Sequence, residues 1–192
     1  MLFKERVSQF LERETFEYAD QWKNGGLVHD FRRLVVDNNG QTIDRLAEIL
    51  PGGLIPPSQD TTGKVIGNWK GIYEMVEKKH KLDIPYNSVI FMHRIDDSVR
   101  TLYKPEAVDG RNYVFLFLRP DLPVLTPSDM GECWPIYTPG DDEVYSPQII
   151  SPQNFEAIVV KTGTAPEALT TFSYHLRVNQ IKLFDYTGER FV

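Results

Sequence analysis

Cysteine is almost missing from this 192-residue chain: Cys133 stands alone. That excludes an intramolecular disulfide and a cysteine-based zinc site, and it suits a reducing compartment. Histidine is scarce too. His29, His80, His93 and His175 never fall at the His-x-x-x-His spacing that puts two ligands on one helix face, so nothing calls for a metal. Neither Gly-x-x-x-x-Gly-Lys nor Gly-x-Gly-x-x-Gly occurs, which leaves P-loop and dinucleotide-fold readings without their phosphate cradle. No run approaches the ~18 apolar residues of a membrane span. The opening, MLFKERVSQFLERE, is charged from its first few residues and has no apolar stretch before a small-residue cleavage site. A soluble, cytoplasmic protein without a membrane partner is expected.

Basic charge is also short. Lys and Arg number 21 against 27 Asp and Glu, for a net charge of −6 and a pI near 5.2. Such a chain repels a phosphate backbone at long range, which disfavours nucleic acid as a partner. What the chain does have is 41% apolar and 12% aromatic residues with 25% charge, enough to bury the core of one domain and unlike a disordered composition. The expected organisation is a single α+β domain over 1–192. It has an N-terminal amphipathic helix (1–23), a core (26–162) and a C-terminal strand extension (163–192).

Local patterns support that division. Leu2, Phe3, Val7, Phe10, Leu11 and Phe16 recur at helical spacing with charges between them. Leu27 to Phe31 reads as a short strand, and Asp37-Asn38-Asn39-Gly40 as a turn. Thr42 is placed to cap a helix through Ile43, Leu46, Ile49 and Leu50 that Pro51-Gly52-Gly53 ends. Val65, Trp69, Ile72, Tyr73 and Val76 predict another helix, with Lys78-Lys79-His80-Lys81 complementing the dipole at its end. Ser88–Ile95, Tyr113–Leu118 and Phe155–Lys161 read as strands, as does Phe172–Phe184 through its alternation at Phe172, Tyr174, Leu176 and Val178. Asn179-Gln180 is a bulge or turn, Asp96–Gly110 has room for a short helix, and Pro120–Pro139 reads as an irregular surface connection.

Three stretches carry more than fold. The first is Leu27-Val28-His29 with Ile49-Leu50-Pro51-Gly52-Gly53-Leu54-Ile55-Pro56. The second is Ser88 to His93, then Ser98-Val99-Arg100-Thr101-Leu102-Tyr103, then Tyr113 to Phe117. The third is Glu143-Val144-Tyr145-Ser146-Pro147-Gln148-Ile149-Ile150-Ser151-Pro152, followed by Phe155-Glu156-Ala157-Ile158-Val159-Val160. In this order they resemble the ADP-ribosyltransferases named for a His-Tyr-Glu triad, the class of diphtheria toxin and the poly(ADP-ribose) polymerases. The resemblance implies a domain with two packed sheets around an NAD cleft. NAD would be the co-substrate, and a protein a likelier acceptor than nucleic acid. Glu143 would be the catalytic carboxylate and His29 the NAD anchor, while Tyr103 with Phe91, Met92 or His93 would form the nicotinamide platform. Asp30, standing where the family has glycine, would hold the amide through its backbone, and Arg32 with Arg33 would lie near the pyrophosphate.

The chemistry explains these residue types. Breaking the nicotinamide–ribose bond builds positive charge on the sugar, so a fixed carboxylate near the 2′-hydroxyl lowers the barrier. A neutral imidazole bonds a ribose hydroxyl without opposing that charge. Two other readings stay open. One is a noncatalytic interaction domain, consistent with Asp30 and with the absence of a tyrosine at the end of the Ser88–His93 strand. The other is a cysteine hydrolase using Cys133 with His93 or His175 and Asp129 or Glu132, although Cys133 sits beside Glu132, without the positive charge that activates a thiol.

Overall fold

The computed structural model describes residues 26–37, 39–59, 84–95, 113–130, 143–185 and 189–192. The helices expected over 2–22 and 65–76, the segment 96–110, and with them Tyr103 and Cys133, lie outside the described residues. What is described is α+β. A six-stranded mixed sheet is accompanied by a two-stranded hairpin and two α-helices. No helix among these residues is long and apolar enough to cross a membrane.

The large sheet is built from β1 (Gly26–Arg32), β4 (Ile90–Ile95), β5 (Tyr113–Leu118), β6 (Glu143–Ser146), β7 (Phe155–Val160) and β8 (Lys182–Asp185), in the order β6-β4-β1-β5-β7-β8. Its centre is set by composition. β5, Tyr-Val-Phe-Leu-Phe-Leu, is buried at every position after Tyr113, as a strand covered on both faces must be. One face carries Leu27, Phe31, Met92, Leu116, Ile158 and Leu183 into a core with helix α1 (Leu46–Gly52) and helix α2 (Ala165–Val178). The other face holds a smaller cluster of Val89, Met130 and Tyr145, with Phe91 and Leu125 against it.

Register gives the sheet its most consequential feature. β1 pairs antiparallel with β5 along nearly its whole length, from Leu27 opposite Leu118 to Arg32 opposite Tyr113. With β4 it pairs only at Gly26–Ile95, Leu27–Arg94 and Val28–His93. β4 continues on β6, from His93 opposite Glu143 to Ile90 opposite Ser146. Beyond Val28 the sheet therefore forks: β1 stays with β5 and β4 with β6.

Two expectations are corrected. Thr42–Asp44 is not the start of a helix but strand β3, paired with β2 (Leu34–Val36). Thr42 and Ile43 are β-branched and suit the strand. The Asp37 carboxylate accepts the Asn39 and Gln41 amides, each at 2.8 Å, and Gly40 takes φ 78°, which together make the hairpin turn. The helix starts only at Leu46, whose amide donates to the Asp44 carboxylate. The second correction falls in the C-terminal part, where Phe172–Val178 belongs to α2 and only Lys182–Asp185 is strand. The alternation there coexists with helical spacing: Ala165, Ala168, Phe172 and Leu176 are buried on one side, while Tyr174 and Val178 are exposed. Proline in the first turn and His175 and Arg177 in the last fit a helix. Asn179-Gln180 is the turn after it, with Gln180 at φ 57°. Because β7 and β8 run parallel, the helix is the crossover that a parallel pair requires.

Gly53 illustrates why the Pro-Gly-Gly stretch reads as it does. It sits at φ 84°, and a Cβ there would collide with the Ile150 carbonyl. The close approach comes from a bridge in which Leu54 and Ile150 exchange amide–carbonyl bonds of 2.9 Å. The loop after α1 is thereby tied to the segment after β6, so the first and third sequence stretches meet. Gly53→Ala should destabilise the protein by about 1–3 kcal/mol, visible as a lower urea midpoint with an unchanged slope.

Candidate functional site

The fork gathers most of the residues singled out from sequence. Val28, His93 and Glu143 form one row across β1, β4 and β6, so Glu143 lies two strands, about 10 Å, from the first strand. Side chains alternate along each strand. His93, Phe91, Glu143 and Tyr145 therefore share the face of Val28 and Asp30, while His29 lies on the face of Leu27 and Phe31. His29 and Glu143 thus begin on opposite faces, on either side of the opening where β1 and β4 part.

Two side-chain links span that opening. His29 Nδ1 lies 2.7 Å from the Phe91 carbonyl. A carbonyl only accepts, so Nδ1 carries the proton and donates. Burial pushes the imidazole pKa down to about 4; the bond to Phe91 opposes this and the Arg45 charge reinforces it. At neutral pH the ring is then uncharged, with Nε2 as a hydrogen-bond acceptor. The ring stacks obliquely near Phe31, at 5.7 Å between centroids, and Arg45 lies over the other side of the network, 5.1 Å from the Phe31 ring. On the opposite face, Asp30 Oδ1 approaches His93 Nε2 at 3.5 Å.

The lowered His29 pKa has a stability consequence. An unfolded imidazole titrates near 6.5 and the folded one near 4, so between those values the unfolded chain binds more protons and acid favours unfolding. Stability should rise with pH from about 4 to 6.5 through this group, by at most about 1.4 kcal/mol per pH unit, and gain nothing from it above that window. Urea unfolding of His29→Gln at pH 4.5 and 7 should show a smaller difference than the native chain.

Glu143 opens β6, as the sequence suggests, and is half-buried. Its Oε1 accepts a 2.7 Å hydrogen bond from the Tyr145 hydroxyl, a partner sequence reasoning overlooked although the i, i+2 spacing puts both on one face of a strand. Phe91 meets the Tyr145 ring edge-on, 5.4 Å between centroids at 82°. Arg32 is exposed at the far end of β1, opposite Tyr113. Arg33 has a different task from the one its neighbourhood suggested. It is buried, binding Asp44 at 2.8 and 3.0 Å and Glu167 at 3.0 Å. Burial opposes its charge, but these carboxylates outweigh that and raise its pKa.

Of the cysteine-hydrolase set, Asp129 binds the Thr126 amide and hydroxyl, each at 2.7 Å. It closes a local turn over Pro127–Met130, and the amide bond first, then the hydroxyl, lowers its pKa. Among the described residues, no three of His, Cys, Asp and Glu converge as a metal site. In comparisons with known proteins, the chain matches no family model and no curated protein.

Proposed function

We propose that this protein cleaves NAD at the nicotinamide–ribose bond and transfers ADP-ribose to an acceptor, with the reacting sugar at the fork between β1 and β4. The observation that carries this reading is the fork itself. A neutral imidazole with an accepting Nε2 stands on one branch, and a carboxylate held by a tyrosine stands two strands away on the other.

In this reading, His29 accepts a hydrogen bond from a ribose hydroxyl and fixes the dinucleotide without adding positive charge. Phe91 on β4, with His93 beside it and Tyr103 beyond the described residues, forms the flat surface for nicotinamide, whose amide meets the Asp30 backbone. Arg32, exposed at the end of β1, is available to a phosphate. As the C1′–N bond breaks, its electron pair leaves with nicotinamide and C1′ becomes oxocarbenium-like. Glu143 stabilises that charge through the 2′-hydroxyl and accepts the proton of the incoming nucleophile, which forms the new bond to C1′. The net charge of −6 favours a protein acceptor over a nucleic acid. A cytoplasmic setting agrees with the single cysteine.

One observation favours a competing, noncatalytic reading: the Asp30 carboxylate reaches His93 across the fork. There the opening is a packed structural junction and NAD has no place in it. The two separate cleanly. A catalytic site gives nicotinamide release and a rise in melting temperature with NAD, about 2.7 kcal/mol of stabilisation at a hundred times Kd. The absence of both effects, at millimolar NAD with a mixture of protein acceptors, contradicts the enzyme reading.

A further inference from the structure

We infer that Tyr145 is a positioning residue that holds the Glu143 carboxylate in its working orientation, an inference that rests on the ADP-ribosyl-transfer reading. Alternation along β6 puts the two side chains on one face, and the tyrosine has almost no freedom there. Its ring is fully buried. Its backbone N–H and C=O are both taken by Leu125, with which it exchanges bonds of 2.7 and 2.9 Å, while Phe91 stands opposite it in the register of β4. Phe91 also fixes the ring edge-on. The hydroxyl is therefore a fixed point, and its 2.7 Å bond engages Oε1. Oε2 is left as the oxygen that meets the ribose. A half-buried carboxylate at a strand end has several rotamers within reach, and one strong O–H···O⁻ bond selects among them. A buried phenol also needs a partner of its own, so the alternative is that Glu143 merely satisfies Tyr145.

The full chain carrying Tyr145→Phe keeps the ring and loses only the donor. Positioning predicts that kcat for nicotinamide release falls roughly tenfold to a hundredfold, the worth of a hydrogen bond to a charged group, while KM for NAD stays within about twofold. The same substitution in a Glu143→Gln background should cost nothing further, since the two residues act as a unit. A ring at position 145 that keeps a donor, 4-aminophenylalanine, should restore much of the lost kcat. An active native chain with Tyr145→Phe unchanged overturns the inference alone. Equal losses in both backgrounds, tracking a fall in folded fraction, make Tyr145 structural and also overturn it. No release from the native chain overturns the function and this inference with it.

Discussion

Glu143→Gln is expected to lower the rate of nicotinamide release by at least a hundredfold while leaving the fold intact. The amide is nearly isosteric with the carboxylate, and its oxygen can still accept the Tyr145 hydroxyl that now binds Oε1. What disappears is the negative charge facing the developing oxocarbenium ion and the ability to take a proton from the nucleophile. General-base assistance alone is worth about 10²–10⁴-fold, and electrostatic stabilisation adds to it. NAD affinity should change little, because the ground-state ring carries its positive charge on nicotinamide and His29 still holds the ribose. The expected pattern is thus a fall in kcat with KM nearly constant, read by chromatographic quantitation of nicotinamide. A variant within threefold of the native rate would remove Glu143 from the chemistry.

The largest stability effect should come from a residue the site does not use. Arg33→Ala is expected to destabilise the protein by about 3–5 kcal/mol, because the packing of a buried stem is lost together with three charge-assisted hydrogen bonds to Asp44 and Glu167. The guanidinium joins the β2–β3 hairpin, through Asp44, to the first turn of α2, through Glu167, and lies 5.6 Å from the Phe172 ring. It therefore ties the hairpin to α2 at the edge of the main core. For a chain of this size each kcal/mol moves the melting temperature by about 2–4 °C, so a fall of roughly 10 °C is expected in a thermal melt. The partners should not be equivalent. Glu167 is 66% exposed against 23% for Asp44, so Glu167→Gln should cost less than about 1 kcal/mol, and Asp44→Asn more. Equal, small effects from all three would mean that the cluster contributes little.

How much of this could be read from the string depends on the range of the interaction involved. β1, β5 and β7 were legible as short apolar runs, and Glu143 stood recognisably at a strand start, because both are local patterns. Gly53 was legible as a helix stop, although the reason it must be glycine, the Ile150 carbonyl, lies almost a hundred residues away. Phe172–Val178 misled because its alternation and its helical period coincide. Only the burial of Ala165 and Ala168 with Phe172 and Leu176 decides between them. Thr42 looked like a cap because its hydroxyl type suits one, whereas the hairpin turn at Asp37–Gly40 had already committed it to a strand. Arg33 reads from its neighbours as a pyrophosphate contact, and its buried structural task stays hidden because its partners are 11 and 134 residues distant. The fork is the clearest case. It is a matter of where pairing between β1 and β4 stops, and residue types do not encode register except through the finished packing.

The central claim is that a dinucleotide lies across that fork, and a crystal structure of the Glu143→Gln chain grown with NAD tests it most directly. The account predicts the nicotinamide riboside between β1 and β4, a ribose hydroxyl bonded to His29 Nε2, and C1′ within about 4 Å of the residue 143 side chain, the reach of a near-attack geometry. NAD bound elsewhere on the molecule, or an opening still crossed by the Asp30–His93 contact with no ligand at saturating NAD, contradicts it.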